Sequence, residues 1–594
     1  MPDLYALFPF EQVEKGSKVI IYGAGRAGLN FMRQVEALDY CKVVSVVDKD
    51  TSKHNASVKG WDRLLETDTY DYVVISPINF AIRSRIKDDL VGYGVPSEKI
   101  VVPSPKNLLY WSLDGMLQHS MDSVTVREYD AVEMDARELV SADRLDIGIK
   151  WLLIRDLVNN VENPINKSLY ARHILAWTQG REGFRTTSTK YKDGIEEYIR
   201  CAKATIDSIK EHRFDKDNPV PLSGNNEPLD GVHRIASCIE ADVPIWVKHY
   251  PDLKPNIKPY SWYMENGFST EDMSRIYKAF CDLYKGKFGI CILYGPALEL
   301  WDFMFKQIER KFKVVGYLDL DFESNFIGFD TLINDMYSYK WVYGDEKIER
   351  KINLLKQAPL KMRVVIVSDE KCNGEDLYGQ LRAFKLNIRE STFFDFDDVE
   401  LQIHSSDNEA EAKHLSRVLL SPNNIKCVNY RFKTQYRKEF IDSLTKFKKK
   451  MMESGVALEN VCIINSSSME VMGIRESVEV DFICLEEDYE NLSKHFPQRQ
   501  GKEKVIGSSE ISVDFYSAEK ARRYILDDNC HFIFFGLKFL NLEYVREKKV
   551  LNDREKDRKD IRLLDLFDEL VQVYDAKASL KKGIYDEIVK RRLN

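Results

Sequence analysis

The chain has 594 residues, which at about 150 residues per domain suggests roughly four domains and more than one hydrophobic core. With 44% apolar and 31% charged residues, 29 Gly and 18 Pro, it is not collagen-like, low-complexity or wholly disordered. Lys plus Arg number 87 against 95 Asp plus Glu, a net charge of −8, which argues against wholesale nucleic-acid binding. Ten cysteines lie scattered with no Cys-x-x-Cys pair, so a zinc site of that spacing and a disulfide framework are both excluded as expectations. There is no 18-residue apolar run and no basic segment ahead of an apolar one at the N-terminus, so the expectation is a cytoplasmic protein without a membrane span.

In chain order, the apolar run Lys18–Tyr22 is followed by Gly-Ala-Gly-Arg-Ala-Gly (23–28), a helical stretch and a second apolar run, 42–48. Residues 70–76 and 99–105 continue the alternation, which predicts four strands, helices between them and a parallel sheet over 1–105. Gly23, Gly25 and Gly28 form Gly-x-Gly-x-x-Gly between strand and helix, and Asp48 ends the second strand. Such glycines allow a tight turn, a close approach of phosphate to backbone and close helix packing, while a carboxylate at the strand end suits a ribose hydroxyl. The expectation is a Rossmann-like domain with NAD(P) as a candidate cofactor, or a purely scaffolding one. It resembles the truncated Rossmann units that accompany bacterial surface-polysaccharide enzymes. No Tyr-x-x-x-Lys pair follows it, as a short-chain dehydrogenase or epimerase would normally supply.

Residues 106–170 are helix-rich and carry no readable chemistry. The segment 106–260 continues with a long amphipathic helix, a predicted strand, a turn at Gly224-Asn225-Asn226, and then Glu227-x-x-Asp230-Gly231-x-His233-Arg234, which opens a new helix. Glycine ahead of a His-Arg pair at a helix start can hold phosphate through backbone N–H groups and a guanidinium fork. His233 is the candidate for proton transfer or phosphate hydrogen bonding; a buried ion-pair turn is the alternative. At these residues the segment resembles the ParB/sulfiredoxin superfamily. That resemblance implies an α+β domain with Glu227, Asp230, Gly231, His233 and Arg234 near nucleotide phosphates. The run 251–260 holds three prolines and reads as a linker or an extended crossing.

A further α/β, transferase-like block spans 285–430, and 431–594 closes with a charged helical tail. In 431–594, Ile463-Ile464-Asn465-Ser466 ends a predicted strand, and Glu479-Val480-Asp481 lies on the next, where alternation puts both carboxylates on one face. Two such carboxylates can share a magnesium ion that bridges triphosphate oxygens. Asp514 follows in a later strand, and Lys538 adds a cation downstream. This order resembles the nucleotidyltransferase superfamily. The resemblance implies Ser466 and Lys538 at phosphate, Glu479 and Asp481 as metal ligands and catalytic acids, and Asp514 assisting deprotonation of the acceptor. Asn465 replaces the family's usual glycine and Glu479 its commoner aspartate, so a degenerate site is the competing reading.

Taken together, the three segments resemble a multi-domain α/β protein of bacterial capsule or lipopolysaccharide biosynthesis. The expected activity is a Mg2+-dependent transfer of a nucleotidyl, phosphoryl or phosphate-linked group from a nucleoside triphosphate or nucleotide-activated donor to a sugar or alditol acceptor. An NAD(P)-dependent sugar-nucleotide oxidoreductase or epimerase and a non-catalytic nucleotide-binding scaffold are the alternatives. Nucleotide and sugar or alditol phosphates are the expected partners, and a homo-oligomer is left open.

Overall fold

The structure, a computed structural model, describes residues 7–49, 58–60, 69–77, 80–103, 130–178, 183–185, 191–251, 257–322, 326–338, 345–391, 399–431, 433, 435–496, 511–513 and 517–573. It is of mixed α/β class and divides into two compact units. One holds residues 1–129, 183–194 and 250–253, and the other holds 130–182, 195–249 and 254–594.

The first unit contains β1 (Lys18–Tyr22), β2 (Lys42–Asp48), β3 (Val58–Gly60), β4 (Tyr72–Ile75) and β5 (Ile100–Val101). They form one sheet in the order β3-β2-β1-β4-β5, with every pairing parallel. The sheet has five strands where the sequence pattern predicted four: β3 is three residues long and too short to show a periodicity. Parallel strands need crossovers, and the amphipathic helix Arg26–Leu38 supplies the first by packing Ala27, Phe31 and Val35 on Val19, Ile21 and Val74.

In the second unit β6 (Val132–Met134), β9 (Val220–Ser223) and β10 (Ile245–Tyr250) make a sheet ordered β6-β10-β9; the antiparallel hairpin of β7 (Gly183–Arg185) and β8 (Tyr191–Asp193) belongs to the first unit. The helices Asp146–Val158 and Val232–Ala241 pack on each other, Ile154 meeting Ala236. An antiparallel sheet, β12-β13-β11-β14, is built from β11 (Phe288–Tyr294), β12 (Lys313–Asp321), β13 (Lys361–Ser368) and β14 (Ile403–Ser405). All seven residues of β11 are buried, as expected of a strand paired on both edges and covered on both faces.

The last sheet comprises β15 (Val461–Ile464), β16 (Val480–Cys484), β17 (Ile511–Val513), β18 (His531–Phe534) and β19 (Leu537–Leu540) in the order β17-β16-β15-β19-β18. β15 runs antiparallel to β16 and parallel to β19, while β16 and β17 are parallel. Phe447, Phe482, Phe532 and Phe539 fill one of its faces and Met469, Ile483, Ile525 and Leu540 the other. The helix Lys438–Ser454 covers the first face and stops at Gly455, whose φ of 70° closes it in a left-handed cap. Among the described residues no helix is long and apolar enough to cross a membrane.

Candidate functional site

The acidic pair of the last sheet has the most developed surroundings. β15 delivers the chain to Asn465, whose φ of 60° and ψ of −130° are a backbone conformation that favours glycine. Thus the asparagine adopts the conformation a glycine would supply, and its side-chain amide donates to Asp481 Oδ2 at 2.9 Å. Asp481 lies opposite Ile464 in the β15–β16 register. Val480 and Phe482 are buried while Glu479 and Asp481 are half-exposed, so the two carboxylates share one face, with Glu479 just ahead of the strand. Among the described residues no donor is hydrogen-bonded to the Glu479 carboxylate. Asp481 pairs with Ser512 on β17; Asp514 itself lies outside the described residues.

A serine lattice ties the turn to the acids. The hydroxyls of Ser466 and Ser477 are 2.9 Å apart, and Ser467 and Ser477 both donate to the Glu479 carbonyl, at 2.9 and 2.8 Å. Beneath it sits the fully buried Glu470, which accepts from Arg437 at 3.2 and 2.8 Å and from the Ser477 N–H at 2.5 Å. A second clamp comes from the tail. Arg475 donates to both oxygens of Asp560 at 2.6 and 2.8 Å, and Lys549 donates to Asp560 at 2.5 Å. The run Lys556–Asp560 belongs to the charged tail, yet Asp557 and Asp560 are buried in it. Their helical spacing is no different from that of exposed acids; Asp557 takes a local bond from Arg554, while Asp560 is held by Arg475 and Lys549 from outside the run.

Lys538 does not join this site. Its ammonium donates to the carbonyls of Glu459 and Ile525 at 2.8 and 2.7 Å, at the end of β15 away from Asn465, and burial pushes its pKa down to about 8. Among the described residues no group of three or more His, Cys, Asp or Glu is arranged to hold a metal ion; the pair Glu479 and Asp481 is two carboxylates.

The predicted strand, turn and helix form around the Glu227–Arg234 segment: β9 ends at Ser223, a turn follows, and the helix begins at Val232. Gly231, at φ 82°, opens the helix Val232–Ala241. Arg234 folds back under it: its guanidinium donates to the Asn218 carbonyl at 2.5 Å, stands 5.9 Å from the Phe214 ring, and would lie 2.9 Å from a Cβ placed on Gly231. His233 Nε2 is 2.7 Å from the Tyr170 hydroxyl. Glu227 accepts from Ser141 at 2.8 Å through Oε1, while Oε2 is buried without a partner; burial raises its pKa to about 7. Asp230 is exposed. Beside this turn is a network in a segment the sequence left without chemistry. Arg144 donates to the Pro228 carbonyl and, at 2.9 and 3.1 Å, to Asp146, which also accepts from Lys150 at 2.8 Å.

In the first unit, the order of the sheet reverses direction between β1 and β4, and the glycine turn lies at the C-terminal end of β1. Gly23 has φ 107°, and its N–H donates to the Val47 carbonyl at 2.7 Å. A Cβ on Gly28 would come 1.9 Å from the Gly23 oxygen, whereas a Cβ on Gly25 would meet nothing within 4 Å. Asp48 accepts from the Ala24 N–H at 2.8 Å, which brings the strand-end carboxylate to the glycine turn.

Compared with models of known families, with curated proteins and with solved structures, the chain matches none. The geometry of these sites therefore carries the functional argument.

The two glycines separate packing from ligand binding. Gly28→Ala is expected to lower the melting temperature of the first unit, because backbone must move to admit the methyl group. Gly25→Ala, whose added Cβ meets nothing within 4 Å, is expected to leave the melting temperature within a degree or so and, where the turn receives a dinucleotide, to weaken its binding at least about tenfold. Differential scanning fluorimetry with and without NAD(P) checks both; an unaltered ligand response in Gly25→Ala would refute dinucleotide binding at this turn.

Proposed function

We propose that the chain is a transferase that moves a nucleotidyl or phosphoryl group from a nucleoside triphosphate or nucleotide-activated donor to a sugar or alditol acceptor. The single observation behind this reading is that Asp481 on β16 and Glu479 just ahead of it share one face, at the mouth of a turn that Asn465 holds in a glycine-like conformation. The strand directions around it, antiparallel then parallel, fit the nucleotidyltransferase-like order of turn, acid pair and third acid. Two half-exposed carboxylates, one of them without a hydrogen-bond donor, suit Mg2+, which when bound neutralises triphosphate oxygens. Asn465 orients Asp481 by donating to its Oδ2. The half-buried Ser466 hydroxyl, held by Ser477, is the donor placed for a phosphate oxygen. The buried Glu470–Arg437 and Asp560–Arg475 pairs act at one remove: they fix the loop that carries Ser477 and Glu479.

The open space over Gly25 and the Asp48–Ala24 contact support a Rossmann-like site for a nucleotide such as NAD(P) in the first unit. The Gly231–Arg234 turn supports a ParB/sulfiredoxin-like phosphate site in the second. The setting in surface-polysaccharide synthesis rests on the joint resemblance of the three segments. A cytoplasmic location fits ten cysteines that are all free thiols. The test is incubation of the purified chain with each nucleoside triphosphate, Mg2+ and a panel of sugar and alditol phosphates, with products read by mass spectrometry. A nucleotidyl or phosphoryl mass increase on an acceptor is the expected result. Turnover of NAD(P) with a sugar nucleotide and no transfer product would favour the oxidoreductase or epimerase reading. No product of either kind would favour a scaffold.

A further inference from the structure

One buried cluster of the second unit gathers three cations around a single fully buried carboxylate, Asp146. Asp146, 1% exposed, is shared by two cations, Arg144 and Lys150, themselves 3% and 7% exposed. A third cation joins them from the proline-rich run 251–260. The Lys258 backbone bridges to Arg144, and its N–H donates to the Asp143 carbonyl at 2.7 Å, which draws a side chain expected in a linker down to 5% exposure. Among the described residues no acceptor is hydrogen-bonded to the Lys258 ammonium. The negative groups acting on it are Asp146, already doubly engaged, and the exposed Asp230.

His173 lies in the same field, wholly buried, stacked on Tyr263 with ring centroids 6.0 Å apart. Both of its ring nitrogens, and the Tyr263 hydroxyl, are buried without a hydrogen-bond partner. Buried polar groups are ordinarily paired, and a buried charge left uncompensated is strongly unfavourable. Unpaired donors of this kind, gathered around cations, describe a receptor that an anion completes. Asp146 holds Arg144 and Lys150, and Glu227 acts on Arg144 as well, while burial pushes the Lys258 ammonium down to about 7, so an entering anion is what would keep Lys258 charged. The cluster borders Asp230, at the entrance to the ten-residue helix Val232–Ala241, whose N-terminus adds to the positive potential.

We propose that Lys258, with Lys150, Arg144 and His173, forms a binding site for the phosphoryl group of a small-molecule phosphate, next to the Asp230–Arg234 turn. The site adds residues to that turn's phosphate reading, but it rests on the unpartnered Lys258, His173 and Tyr263 groups and is independent of the transfer chemistry at Glu479 and Asp481.

The test titrates the full-length chain with inorganic phosphate and with pyrophosphate by calorimetry, in EDTA so that metal-dependent binding at the acidic pair is silent. Saturable binding is expected in the wild type, at least about tenfold weaker in Lys258→Met and several-fold weaker in His173→Phe. The Glu479→Gln/Asp481→Asn variant should bind as the wild type does. Without ligand, Lys258→Met should melt at or above the wild-type temperature, because it removes an ammonium that is drawn to 5% exposure with no hydrogen-bonded acceptor among the described residues. Absence of binding by the wild type, or unchanged affinity in Lys258→Met, would overturn the proposal. Should Lys258→Met fail to fold, unchanged affinity in His173→Phe decides against it. Weakening confined to the Glu479→Gln/Asp481→Asn variant would place the anion at the acidic pair and also overturn it.

Discussion

Replacing Glu479 by Gln and Asp481 by Asn together is expected to reduce Mg2+-dependent transfer by three orders of magnitude or more, with the melting temperature nearly unchanged. Removing both carboxylates removes the charge that would hold the metal, and a metal's stabilisation of transition-state charge amounts to several kcal/mol, about 1.4 kcal/mol for each factor of ten in rate. Neither side chain is in the core, and the amide that replaces Asp481 still accepts from Asn465 through its oxygen. Stability should therefore be spared. Steady-state kinetics paired with a thermal melt makes the check. Full activity in the double variant would contradict a role for these acids and leave the C-terminal sheet a scaffold.

The largest loss of stability is expected far from that site, at Asp335. This residue ends the helix Phe326–Tyr337, and its carboxylate, wholly buried, lies 2.6 Å from the equally buried Arg431. It also accepts from the Phe535 N–H at 2.9 Å, while Arg431 donates to the Ile533 carbonyl between the rings of Phe532 and Phe534. One ion pair thus joins the helix layer of the antiparallel sheet to the end of β18. Asp335→Ala strands a guanidinium with no water to solvate it, a change that costs about 3–5 kcal/mol. Arg431→Met should be milder when combined with Asp335→Leu, since a matched apolar pair leaves no charge behind. Urea denaturation of the three variants gives the comparison. A loss below about 1 kcal/mol in Asp335→Ala would mean that water or another group compensates Arg431.

What the sequence makes legible is local. The glycine turn after β1, the approach of Asp48, the helix opened by Gly231 and the shared face of Glu479 and Asp481 all depend on neighbours within a few dozen residues, where strand alternation and turn chemistry operate. Burial of charge is not local. Lys258 sits among prolines that read as a linker, and its enclosure depends on Arg144 and Asp146, more than a hundred residues away. Asp557 and Asp560 look like any acids on a charged helix until Arg475 and Lys549 are placed against them. Lys538 shows the converse. Its sequence neighbourhood suggested a phosphate contact, yet its ammonium is engaged by two carbonyls at the far end of β15. The substitution of Asn465 for glycine looked like a defect in one dimension. In three it keeps the glycine-like φ and adds a hydrogen bond to an acid of the site.

The central claim, that Glu479 and Asp481 receive a metal-bound nucleotide, is tested most directly by thermal shift of the whole chain with each nucleoside triphosphate, in Mg2+ and in EDTA. A ligand at a hundred times its Kd adds about 2.7 kcal/mol to apparent stability, so an occupied site is visible without knowledge of the acceptor. The account predicts a rise in melting temperature with at least one nucleotide in Mg2+, absent in EDTA and absent in the Glu479→Gln/Asp481→Asn variant. No rise with any nucleotide, or a rise that is the same in EDTA and in that variant, would contradict it.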